Sequence, residues 1–152
     1  MPTITPFLWF DQQAEDAMNF YLSIFKDGKV HNIRRRDGKA FTVTFEIQGQ
    51  KLMALNAGPH FKFTEAISLF VSCDTQQEVD EYWDKLSAGG EKSRCGWLKD
   101  KYGLSWQIIP KALGELMSDP DPKKSQAVMQ AMLKMNKIVI ADLQKAHKQA
   151  AA

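Results

Sequence analysis

Cys95 sits in the stretch RCGWLKDKYGLSWQIIP, residues 94–110, among two tryptophans and two glycines. A thiolate there would be a nucleophile if a neighbouring base or cation lowered its pKa. No histidine adjoins it in sequence, so the plainer reading is a small, buried strand residue. Cys73 ends an apolar run and reads as structural. His60, in AGPHFKF, lies in a loop where an imidazole can donate to a substrate or exchange a proton, although solvent contact is the plainer reading. His31 and His147 show no ligand spacing. Glu46 shares the polar side of FTVTFEI (41–47) with Thr42 and Thr44. It is the general-base candidate if that side faces a cavity, and part of a solvated sheet edge if it does not. Trp97 and Trp106, with Trp9 from the first strand, offer broad apolar contact and an N–H each, as core packing or as a ligand wall. Gly96 and Gly103 suit a close backbone approach or a turn. The stretch therefore reads first as the closing hairpin of a sheet, second as a binding wall, and last as a thiol site.

The elements that must position these groups follow from periodicity. Residues 3–10 suit a strand, with Asp11 as a helix cap. Ala14, Ala17, Met18, Tyr21, Ile24 and Phe25 then recur at helical spacing. FTVTFEI alternates apolar and polar residues, and Gln48–Gly49 turns the chain into KLMALNA. The order recurs in AISLFVSC (66–73), where Asp74 is a cap with Gln77 placed for a capping box, before the stripe Val79, Tyr82, Trp83 and Leu86. A shift of 62 residues lays Phe20-Tyr21 on Tyr82-Trp83, and a shift of 54 lays Gly49 on Gly103 and Met53 on Gln107. This is a weak but ordered repeat. Beyond Pro110 the pattern becomes helical, with Asp121 at a cap, Pro122 at the first helical position, and apolar stripes through Val128, Ala131, Met132, Met135, Val139, Leu143 and Ala146. Such stripes need covering, by the sheet-bearing domain that precedes them or by a second subunit.

Composition narrows the function classes. The net charge of +2 argues against nucleic acid, and the only arginine cluster, residues 34–36, reads as a solvated strand end. Two cysteines make no disulfide framework in 152 residues. No apolar run approaches the roughly 20 residues of a membrane span, and MPTITPFLWFDQQ lacks the basic start of a signal peptide. A reduced, cytoplasmic protein is expected.

A strand–helix–three-strand module, repeated, resembles the vicinal oxygen chelate superfamily of glyoxalase and bleomycin-resistance proteins. FDQQAEDAMNFYLSIF (10–25), LMALNAGPHFKFTEAISLFVSC (52–73) and CGWLKDKYGLSWQIIP (95–110) are similar to its PhnB-like branch, often labelled 3-demethylubiquinone-9 3-methyltransferase; the helical QAMLKMNKIVIADL (130–143) also looks like this branch. The resemblance implies an α+β fold of paired βαβββ modules in a curved mixed sheet, at 3–57 and 66–109, within a single domain that ends in a helical extension at 111–150. It also implies a ligand on the concave face and a homodimer. The superfamily's metal ligands would fall at about Thr5, Met53, Ser68 and Gln107. None of these is a carboxylate or imidazole, so no metal and no other cofactor is expected.

The expected function is binding of an unidentified small, partly aromatic molecule, with Trp97, Trp106 and Gln107 lining the cavity and Trp9 and Asn56 reaching it from the other module. The alternative is an enzyme, either of the superfamily's metal-dependent lyase and isomerase type, with an unusual site through Glu46 and His60, or a methyltransferase as the label states. No glycine-rich methyl-donor loop supports the last, since AGG (88–90) ends a helix.

Overall fold

The computed structural model describes residues 1–150, in two compact units, residues 1–63 and 64–150. Each unit is built on one four-stranded mixed sheet, so the fold is α+β.

In the first unit, β1 (Phe7–Phe10) leads into α1 (Ala14–Ile24), followed by β2 (Gly28–Arg36), β3 (Lys39–Ile47) and β4 (Gln50–Asn56). The strand order is β1-β4-β3-β2, with β1 parallel to β4 and the other pairs antiparallel. Every apolar residue of the predicted α1 stripe is buried, against Val43, Phe45 and Ile47 of β3. The polar set of β3, Thr42, Thr44 and Glu46, consequently lies half-buried on the opposite face.

The predicted cap of this helix is corrected. Asp11 does not cap it; Gln13 occupies the N-cap position and makes no side-chain bond there. The acceptor arrives from a distant strand instead, since Asn56 Oδ1 accepts from Ala14 N–H at 2.8 Å. Its amide nitrogen donates to Ala40 O at 3.0 Å, tying the end of β4 to both β3 and α1.

The second unit repeats the plan. It runs through β5 (Ser68–Cys73), α2 (Gln76–Ser87), β6 (Glu91–Lys92), β7 (Trp97–Lys99) and β8 (Ser105–Pro110), with strand order β5-β8-β7-β6. Phe70 faces Gln107 across the parallel β5–β8 pair as Phe7 faces Met53 across β1–β4, which is the repeat in structural form. The capping box here is shifted by one residue: Thr75 Oγ1 accepts from Glu78 N–H, and Glu78 returns the bond to the Thr75 N–H. The helix packs on β5, β7 and β8 and buries Val79, Tyr82, Trp83 and Leu86.

Three helices follow, α3 (Lys111–Met117), α4 (Pro122–Leu133) and α5 (Ile140–Gln149). Asp121 caps α4 with Pro122 at its start, as the sequence predicts. Their apolar stripes are covered within the unit itself, because Val128, Ile138 and Leu143 close on Ile109 of β8 and Leu113 of α3. The segment between α4 and α5 is pinned from two sides. Cys95 and Gly96 donate backbone N–H groups to the carbonyls of Met135 and Asn136. The Gln76 amide donates to Ile138 O at 2.9 Å and accepts from Ile140 N–H at 2.7 Å.

Candidate functional site

Alternation along β8 decides what the closing hairpin presents. Trp106 and Ile108 face α2 and are buried, while Gln107 and Ile109 lie on the other face. Trp97 pairs with Gln107 and shares that second face with Phe70 and Ser72 of β5. Helices α3 and α4 stand over the same face, and between them and the sheet lies a cavity of about 420 Å³. Its sheet side carries Phe70, Cys95, Trp97 and Gln107, and its helix side carries Leu113, Met117 and Met132. The size is in the range that small-molecule sites occupy.

The polar features of this cavity are few and oriented. Gln107 Nε2 donates to Ser68 Oγ at 2.9 Å. That bond leaves the carboxamide oxygen available as an acceptor and the Ser68 hydroxyl able to donate. Lys111 is the only charged lining residue, and its ammonium is paired with Asp74 at 2.6 Å. The cavity therefore offers apolar contact, an amide and hydroxyls, with no uncompensated charge.

The expected residues divide on this geometry. Trp97, Gln107 and Cys95 come together around the cavity. Trp106 is placed elsewhere: its indole N–H donates to Asp100 Oδ2 at 2.9 Å in the core on the α2 side. The strand parity that exposes Gln107 necessarily turns its neighbour inward. Cys95 takes a positive φ of 59°, held there by the bonds to Met135 and Asn136. Cys73 is buried, and that burial, with Glu78 and Asp74 adding to it, pushes its thiol up to about 11, which disfavours the thiolate.

In the first unit, Trp9 Nε1 donates to Gly58 O at 2.9 Å and its ring meets Phe61 edge-on. Asn56 has both ends of its amide committed to backbone, as described above. His60 is exposed in the loop after β4. Glu46 is paired with His31, Nε2 to Oε1 at 3.1 Å. A register shift in β2 between Val30 and Asn32 puts His31 at a bulge, which is why sequence spacing did not reveal the pair. Sequence reading also missed the helix side of the second unit's cavity. Its only signal was the unpartnered stripe around Met132.

The family model described as 3-demethylubiquinone-9 3-methyltransferase matches residues 2–109. Among solved structures, the PhnB protein from Bacillus cereus is 37% identical, with 72% of this chain and 99% of that chain covered and a TM-score of 0.68. A protein from Pseudomonas aeruginosa is 17% identical over 72% of this chain and 98% of that one, with a TM-score of 0.62. A fosfomycin resistance protein from Listeria monocytogenes, solved with manganese and sulfate, is 18% identical over 69% of this chain and 88% of that one, with a TM-score of 0.52. No curated protein matches the chain. The last two structures share the fold alone, whereas the family match spans both modules: the chain belongs to the 3-demethylubiquinone-9 3-methyltransferase family, the PhnB-like branch of the vicinal oxygen chelate superfamily.

Proposed function

We propose that this protein binds a small, neutral, largely apolar molecule in the cavity of its second module, and does so without a metal. The observation that carries the reading is the Gln107–Ser68 hydrogen bond. These are two of the positions where the superfamily resemblance puts metal ligands, and here an amide and a hydroxyl satisfy each other. Thr5 and Met53, at the other two positions, supply a hydroxyl and a thioether. Such a donor set holds no carboxylate and no imidazole, and its thioether is a poor ligand for a hard divalent ion. Among the described residues, no three His, Cys, Asp or Glu side chains are placed to share an ion.

Methyl transfer finds no support in the residues either. A Cβ on Gly90 would lie 2.1 Å from Lys99 O, so this glycine allows the end of α2 to pass against β7 rather than shaping a cofactor loop.

The test is a fluorescence titration with N-phenyl-1-naphthylamine, a neutral aromatic amine whose N–H suits the Gln107 carbonyl. Trp97→Ala should weaken binding roughly thirtyfold, and Gln107→Ala about tenfold, with the circular dichroism of both unchanged. Metal analysis of the same chelator-free preparation should find no stoichiometric divalent ion. Stoichiometric zinc, nickel or manganese lost on Gln107→Ala would overturn the metal-free reading, and parent-like binding by both variants would move the site elsewhere.

Homodimerisation belongs to the same proposal. Ile67 and Leu133, both in the second unit, are each about half or more exposed, apolar side chains that a second copy would cover. Sedimentation velocity at micromolar concentration should show a dimer; a monomer alone would count against it.

A further inference from the structure

The helix side of the cavity is made by residues outside the family's matched stretch, which stops at 109. Without α3 and α4, Trp97 and Gln107 would stand on an open sheet face. With them, the indole and the Phe70 ring share one cavity with Met117 and Met132. Thioether side chains are polarisable and unbranched, and they form favourable contacts with aromatic rings while adapting to their shape. At the mouth the wall is recessed, because Gly114 lies on α3 with no atom within 4 Å of where its Cβ would be. This wall is no loose flap. Ile138 and Leu143 behind it are fully buried, and Gln76, Cys95 and Gly96 bond the connecting segment to the module.

We propose that the C-terminal extension is the specificity element of this cavity. It selects a flat, conjugated or aromatic neutral molecule, held between the Trp97–Phe70 side and the Met117–Met132 side with its polar group on Gln107. The inference rests on the binding reading above and adds to it the shape of the ligand and the residues that enforce that shape. A saturated molecule of equal hydrophobicity would forgo the ring contacts with Trp97, Phe70 and the two thioethers. The recess at Gly114 leaves room for the end of a ligand longer than one ring.

Two variants test the wall, Gly114→Leu without loss of packing and Met132→Gln with its thermal midpoint measured alongside, because Met132 also packs on the core of the extension. Gly114→Leu puts a side chain into open space on a helix, where leucine is the better helix former, so the thermal midpoint should stay or rise. Met132→Gln keeps the length and helix propensity of the side chain while placing an amide in the wall. Each should raise the Kd for N-phenyl-1-naphthylamine at least about fivefold, and the parent should prefer this probe to dicyclohexylmethanol, a neutral saturated molecule, by a similar factor. If Gln107→Ala weakens the probe but Gly114→Leu and Met132→Gln bind as the parent does, the extension has no part in selection, and the sheet-side reading survives alone. If the parent shows no saturable binding, or none of the three variants changes it, both readings fall.

Discussion

Gly96→Ala should destabilise the second module by about 3 kcal/mol, the sum of a left-handed backbone penalty and overpacking. Gly96 has a φ of 82°, a region that costs any residue with a Cβ. The added carbon would also lie 2.7 Å from Ile109 Cδ1, 2.9 Å from Ile108 O and 3.2 Å from Ile138 Cγ1. The isoleucine tips can give way, but the Ile108 carbonyl belongs to β8 and cannot move without disturbing the sheet. Gly96 N–H also donates to Asn136 O, so the strain would pass directly to the segment that seats Ile138. Urea unfolding followed by tryptophan fluorescence is the measurement. Gly114→Ala is the internal control: it adds the same atom where nothing stands within 4 Å, on a helix, and should stabilise by about 0.5–1 kcal/mol. Equal midpoints for Gly96→Ala and the parent would show that the bonds from residues 95 and 96 to the extension are not formed in solution.

Asp100→Ala should cost on the order of 4 kcal/mol, because it removes one acceptor group that serves several donors. Asp100 is 2% exposed. Its Oδ1 accepts from Tyr102 N–H at 2.9 Å and Leu104 N–H at 3.1 Å, and its Oδ2 accepts from the Trp106 indole at 2.9 Å. One carboxylate thus closes the β7–β8 turn and anchors the large aromatic residue beneath it. Truncation leaves buried donors without partners, and each such donor costs about 1–3 kcal/mol. Asp100→Asn separates the two roles, since its carbonyl can still serve the turn while its amide meets the indole N–H donor to donor. An intermediate loss of about 2 kcal/mol is expected for it. Calorimetric or urea unfolding of both variants should give the order parent, Asn, Ala. An alanine variant within about 1 kcal/mol of the parent would mean that water reaches these donors and that the turn is not closed as described.

Periodicity by itself determined the α1, α2 and β3 cores. Ala14, Ala17, Met18, Tyr21, Ile24 and Phe25, then Val79, Tyr82, Trp83 and Leu86, are all buried because helical spacing leaves a stripe only one place to go. The repeated order of elements, together with the resemblance to PhnB-like proteins, carried the paired modules. Asp121–Pro122 was legible as a helix start because both residues act locally.

Local chemistry did not select among adjacent polar residues elsewhere. Asp11, Gln12 and Gln13 adjoin one another, as do Asp74 and Thr75, and the backbone geometry around each helix start chose the last of each run. The cap acceptor for α1 came from Asn56, 42 residues away, a partner that only the β1–β4 pairing brings near. The tertiary structure alone decided the candidate site as well. Two tryptophans in one hairpin look equivalent in sequence, but register and strand parity send Trp97 to the cavity face and Trp106 to Asp100. The tail's apolar stripes announced that something must cover them, but not what. Their spacing is satisfied equally by another subunit or by β8, and only the packing of Val128, Ile138 and Leu143 on Ile109 put α3 and α4 over Trp97 and Gln107.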